Sequence, residues 1–163
     1  MFVVPAELDE RRQAYCEAHR IQTLTLIGYG LEGYVWKTNR ASVVKVFRHS
    51  NLFDRELAVY QRLSQLGLQK LQGFTIPQLL DQDSETWVLE LSLVSPPFVL
   101  DFAAASLGKA PSEMASPEWL GEKQRMFGSD WPDVQSAFGG LDGLRLYGIH
   151  FPDVHLGNIR VRK

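Results

Sequence analysis

Three glycines set between runs of β-type sequence restrict this chain more than anything else in it. Residues 21 to 27 alternate apolar and polar side chains with a period near two. Gly28, Gly30 and Gly33 then break the run. Tyr34-Val-Trp-Lys-Thr38 follows, rich in aromatic and β-branched residues, then the turn pair Asn39-Arg40 and a third apolar run, 41 to 47. Strand, glycine loop, strand, turn, strand is an antiparallel meander. The glycine loop is therefore a hairpin and not a strand-to-helix junction.

The remainder reads as α+β. Helices are expected over 5–20, where Pro5 suits a first turn and acids precede bases, and over 51–66, with Asn51 as cap and Gly67 as stop. A short apolar run at 78–80, a polar turn at 81–85 and an apolar strand at 86–93 bring the meander to five strands and one helix. After Pro96-Pro97 the composition predicts helices over 98–107, 118–127 and 131–146, the last weakened by Gly139, Gly140 and Gly143. The expected organisation is an N-terminal helix (1–20), a β-rich lobe (21–95) and a reduced helical lobe (96–163).

Composition narrows the function. In 163 residues, 45% hydrophobic and 22% charged, there is enough apolar material for a folded core. Seventeen Lys and Arg against nineteen Asp and Glu leave a net charge of −2, without the basic excess of a nucleic-acid binder. Cys16 has no second cysteine to pair with, which fits a reducing, cytoplasmic setting. No apolar stretch approaches the roughly 20 residues that span a bilayer. Neither a nucleic-acid nor a membrane partner is expected.

The loop fits G-x-G-x-x-G-x-V from Gly28 to Val35. In a dinucleotide-binding fold such glycines open a helix, and in a kinase they form a hairpin over the ATP phosphates. The strand after Gly33 selects the hairpin. Lys45 lies inside the next apolar strand, Val43-Val-Lys-Val-Phe47, where an ammonium needs an anion or must face solvent. The following helix offers Asp54 and Glu56, and Glu56 shares a face with Phe53 and Tyr60. Glu56 is the expected partner of Lys45.

Near the end, Phe151-Pro-Asp153-Val-His155-Leu-Gly157-Asn158-Ile159 reproduces D-x-H-x-G-N. With the glycine hairpin, strand lysine and helix glutamate in order before it, residues 21 to 163 resemble the protein-kinase-like superfamily. The loop is closer to the aminoglycoside-phosphotransferase and small-molecule-kinase form than to protein kinases. The resemblance implies an ATP-binding phosphotransferase acting on a hydroxyl acceptor. It makes Asp153 the base, Lys45 and Glu56 the phosphate-positioning pair, and Asn158 a ligand of Mg²⁺. Nucleotide contacts would come from Gly28, Gly30, Gly33, Val35, Val43 and Lys45, with Glu90 to Ser92 as a hinge whose backbone meets the adenine edge and Leu89 behind it.

The sequence also departs from that pattern. The family has a second metal-binding Asp after the Asn, and none follows Asn158 here. Arg160 stands where the adenine floor is usually apolar, and Phe151-Pro152 replaces the usual His-Gly or His-Arg before the Asp. A catalytically impaired pseudokinase serving as a nucleotide-gated scaffold, with Phe127, Trp131 and Phe138 as candidate partner surface, and a segment of a longer kinase both stay open.

Overall fold

The computed structural model describes residues 3–103, 105–108, 116–151, 154, 156 and 158–162. The chain divides into two compact units, one of residues 1–57 and 78–93, the other of 58–77 and 94–163.

The first unit begins with α1 (Ala6–His19), followed by β1 (Thr23–Tyr29), β2 (Gly33–Thr38) and β3 (Ser42–Phe47). Helix α2 (Ser50–Gln65) follows, its first half belonging to this unit. After β4 (Lys70–Leu71) and β5 (Phe74–Thr75) in the second unit, the chain returns as β6 (Leu79–Asp83) and β7 (Val88–Ser92). The five-stranded sheet runs β1-β2-β3-β7-β6 and is antiparallel throughout. These are the five strands and single helix expected from the sequence, except that β6 continues through residues 81–83, where a polar turn was expected, because they pair with residues 88–90 of β7. Strand β7 is shorter than its apolar run because Thr86 is drawn into the preceding turn by Asp83 and Trp87 takes a left-handed φ of 53°.

Alternation along β3 gives the sheet two different faces. Ser42, Val44 and Val46 point to one side, with Trp36 and Val88 as neighbours, and α1 covers them with Leu8, Tyr15 and Cys16. Each fully buried valine there is worth about 1.5–3 kcal/mol relative to exposure. Arg40 donates to the carbonyls of His19 and Arg20, meeting the orphan acceptors at the end of α1. Val43, Lys45 and Phe47 point to the other side, aligned with Val35 on β2 and Leu89 and Leu91 on β7.

Helix α2 starts at Ser50, with Leu52 and Phe53 donating to the His49 carbonyl, so Asn51 sits in the first turn rather than at the cap. It stops where expected, at Gly67 in the left-handed region (φ 66°). Its buried residues, Phe53, Glu56, Val59, Tyr60 and Leu63, follow helical spacing.

In the second unit, β8 (Val99–Leu100) and β9 (Ser106–Leu107) stand where a helix over 98–107 was expected. The correction has a physical cause. The Phe-Val-Leu segment after Pro96-Pro97 is taken up by strand partners far away in sequence. β8 pairs parallel to β5 through Val99 and Thr75, and antiparallel to β11 (Ile159–Arg160). Phe98 enters it with a φ of 58°, which a helix does not allow. A four-stranded sheet, β11-β8-β5-β4, results, and β9 pairs with β10 (Ile149–His150). The helices are α3 (Pro117–Phe127), capped by Ser116, and α4 (Trp131–Leu144). Among the described residues no helix is long and apolar enough to cross a membrane.

Candidate functional site

The site assembles on the β3 face away from α1. Lys45 is 8% exposed, and its Nζ donates to Oε2 of Glu56 at 2.6 Å. Glu56 is fully buried. A strand lysine and a helix glutamate, eleven positions apart, thus meet as the sequence predicts. The ammonium also lies 4.7 Å from the Phe47 ring centroid. Removing either member of such a pair leaves the other charge buried, which is why pairs of this kind are held tightly in place.

The glycine hairpin lies over the same strand. Gly33 pairs with Phe47 across β2 and β3, and a Cβ built there would fall 2.1 Å from the Val46 carbonyl oxygen. Glycine at 33 is therefore required by strand packing alone. Gly30 differs, since a Cβ there would meet nothing within 4 Å. Arg48 fixes the loop backbone: its amide donates to the Glu32 carbonyl at 2.9 Å and its Nε to the Gly30 carbonyl at 3.2 Å. Gly28 sits at the β1–β2 irregularity, against Val35.

Glu32, between Gly30 and Gly33, is a residue that the sequence reading passed over. Its carboxylate reaches Lys45 Nζ at 3.3 Å and pairs with Arg55 on α2 through its other oxygen. Arg55 also carries a buried Nε without a hydrogen-bond partner. Two cations and two carboxylates, Lys45, Arg55, Glu32 and Glu56, are thereby joined. A loop acid and a helix arginine far apart in sequence carry no motif, so only the folded chain reveals them.

Val35 and Val43 flank Lys45 and stay half-buried, whereas Val44 and Val46 on the opposite face are fully buried. Leu89 lies directly across from Lys45 on β7. Glu90 faces the α1 side, where its carboxylate accepts from Ser42 Oγ at 2.5 Å and from Tyr15 Oη at 3.1 Å. Burial, reinforced by the Glu90 charge, pushes the Tyr15 phenol far above its ordinary pKa. The backbone of the stretch is engaged as well. The Ser92 amide donates to Gln78 and the Leu93 amide to Ala41.

In the second unit Asn158 is buried. Its Nδ2 donates to the Ala103 carbonyl at 3.4 Å, and its backbone carbonyl accepts from the Asp101 backbone amide. Asp153, His155 and Gly157 lie outside the described residues. Among the described residues no three His, Cys, Asp or Glu side chains are grouped as a metal ion would need. Arg160 lies on β11, opposite Val99. Phe127 is buried, which corrects its reading as partner surface. Trp131 and Phe138 are half-buried and, with Trp119 and Phe151, line a cavity of about 260 Å³.

No family model matches this sequence, and no curated protein matches it. The fold is similar to solved structures. One is a ternary complex of APH(2'')-IIa with streptomycin and ATP, 20% identical, with a TM-score of 0.42 over 58% of this chain and 30% of that one. Another is a gentamicin complex of APH(2'')-IIa, 14% identical, with a TM-score of 0.49 over 88% of this chain and 41% of that one. A third is the ADP-bound aminoglycoside phosphotransferase APH(2'')-Ib, 21% identical, with a TM-score of 0.42 over 54% of this chain and 29% of that one. This chain spans less than half the length of each. Independently of these, the antiparallel sheet and the contact between the strand lysine and the helix glutamate are features that the resemblance in the sequence implies.

Proposed function

We propose that this chain binds ATP through its glycine hairpin and Lys45 and transfers the terminal phosphoryl group to a hydroxyl acceptor. The observation that carries the reading is the buried Lys45–Glu56 ion pair beside the hairpin. A lysine is costly inside a sheet. Here a carboxylate holds it with its ammonium still close to the loop acid Glu32, which is where a phosphate oxygen would need it. The residues present fit the phosphates and the base. Lys45 supplies charge, the open space at Gly30 leaves room for close backbone approach, and half-buried Val35 and Val43 offer an apolar surface for a ring.

Each residue then has a task. Glu56 orients Lys45, and Lys45 neutralises phosphate charge. Gly28, Gly30 and Gly33 shape the hairpin. The backbone around Glu90 and Ser92 would meet the purine edge, for which the Ser92 amide must leave Gln78. Asp153 would accept the hydroxyl proton, a role that rests on the D-x-H-x-G-N resemblance. Bound ATP supplies the activated phosphoryl group. Mg²⁺ follows from the same resemblance, and of its expected ligands the described residues include only Asn158.

The test is thermal denaturation with ATP, with and without Mg²⁺, for the wild type and Lys45→Met. Ligand at a hundred times Kd stabilises a protein by about 2.7 kcal/mol. The expected outcome is a rise in Tm for the wild type that the variant loses. A wild-type Tm unmoved by saturating ATP overturns the reading. If ATP binds, turnover abolished by Asp153→Asn supports transfer, and turnover unchanged in that variant removes Asp153 from it.

A further inference from the structure

Glu32 holds two cations beside the glycine loop, Lys45 at 3.3 Å and Arg55 through its other oxygen, while a third, Arg48, is bonded to the Gly30 carbonyl. A carboxylate with its two oxygens divided between an ammonium and a guanidinium reproduces how a phosphate group is held. The four charges Lys45, Arg55, Glu32 and Glu56 sum to zero. With Glu32 swung away they would carry a net positive charge facing the loop. We propose that Lys45 and Arg55 form a single polyphosphate site, that Arg55 is its second cation, and that Glu32 occupies this site as an internal competitor when no ligand is bound.

Three observations support this. First, the loop backbone is anchored independently of the Glu32 side chain. Arg48 holds the carbonyls of residues 30 and 32, so the carboxylate can leave without unfolding the hairpin. Second, Glu32 keeps a quarter of its side chain exposed, in contrast to buried Glu56, so it can move into water at little desolvation cost. Third, the Arg55 Nε is buried and lacks an acceptor. An anion with three or more oxygens can satisfy a donor that one carboxylate leaves unmet. Arginine suits the role because its fork of donors matches phosphate geometry.

The ligand class is a linear di- or triphosphate. The inference rests on the nucleotide reading for the identity of the natural ligand, but not for the anion site itself. Isothermal titration calorimetry at fixed ionic strength separates the two, with inorganic tripolyphosphate and ATP as probes. The variants are Glu32→Gln, Arg55→Gln and their combination, each verified as folded by its thermal transition, with Glu32→Ser replacing the Gln form should that fail to fold. Glu32→Gln should tighten tripolyphosphate about tenfold, the effect of roughly one charge-assisted hydrogen bond. Arg55→Gln should weaken it by a similar factor, and the combined variant should lose the gain.

Tripolyphosphate affinity unchanged or weakened by Glu32→Gln overturns the competitor role. Affinity unaffected by Arg55→Gln overturns the second cation. ATP binding that needs Lys45 but ignores both substitutions sinks this inference and leaves the nucleotide reading intact. Tripolyphosphate following the expected pattern while ATP binds no better keeps the anion site and removes the nucleotide reading. Neither probe binding any variant overturns both.

Discussion

Lys45 illustrates how one residue can be legible and its setting hidden. Its place in an apolar strand after a glycine hairpin predicts an anionic partner, and Glu56 is that partner at 2.6 Å. The spacing works because Glu56 shares the buried helix face with Phe53 and Tyr60, so burying the aromatic rings delivers the carboxylate. Glu32 was not legible, since an acid in an exposed hairpin is usually solvated. Substitution separates the structural and functional parts of the pair. Glu56→Ala leaves Lys45 buried without its 2.6 Å partner, and stability should drop by about 3 kcal/mol. The combined Lys45→Met, Glu56→Leu variant should recover most of that loss. Urea unfolding of the three proteins measures it, and a double variant no more stable than Glu56→Ala would contradict the account.

Among the elements, the β2–β3 hairpin is where a glycine motif and a packing need coincide. Gly33 satisfies G-x-G-x-x-G, yet the Val46 carbonyl alone excludes any larger residue. Gly33→Ala should therefore destabilise the chain by about 2 kcal/mol through forced strand separation, even with no nucleotide present. Gly30→Ala should change stability by a few tenths of that while weakening ATP binding, because nothing internal occupies its space. Thermal unfolding and ATP titration of both variants test the contrast. Equal stability losses at the two positions would refute it. The same scale shows where local sequence misled. Composition over 98–107 favours a helix, but the segment carries two strands, one with partners at Thr75 and at Ile159 and Arg160, the other with partners at Ile149 and His150. Two-residue strands with partners so distant leave no periodicity to read, as β4 and β5 also show.

At the scale of the whole molecule, α1 turns the outer face of the sheet into a core that contains a polar triad, Tyr15, Ser42 and Glu90. Burial and the Glu90 charge hold the Tyr15 phenol un-ionised far above its ordinary range. In the unfolded chain a tyrosine releases its proton near pH 10. The unfolded state then binds fewer protons than the folded state, so stability is complete below that pH and falls as pH rises beyond it. The slope from this group approaches about 1.4 kcal/mol per pH unit. Tyr15→Phe should be less stable at neutral pH by about 1 kcal/mol and should lose less between pH 9.5 and 11. Denaturation profiles across that range test it, and parallel profiles for the two proteins would show that Tyr15 is not the group responsible.

By itself the sequence determined what short-range physics controls. Alternation made the strands, the β-type run after Gly33 made the glycine loop a hairpin and not a helix start, and helical spacing put Glu56 on the buried face of α2. These follow from a few neighbouring residues and so survive without knowledge of the rest. Only the tertiary structure decided which distant charges share a site. Glu32, Lys45 and Arg55 meet because a hairpin folds back over β3 while α2 packs beside it. Glu90 faces Tyr15 because α1 covers the far side of the sheet. Such juxtapositions depend on strand register and on which face each helix covers, and no local pattern encodes either.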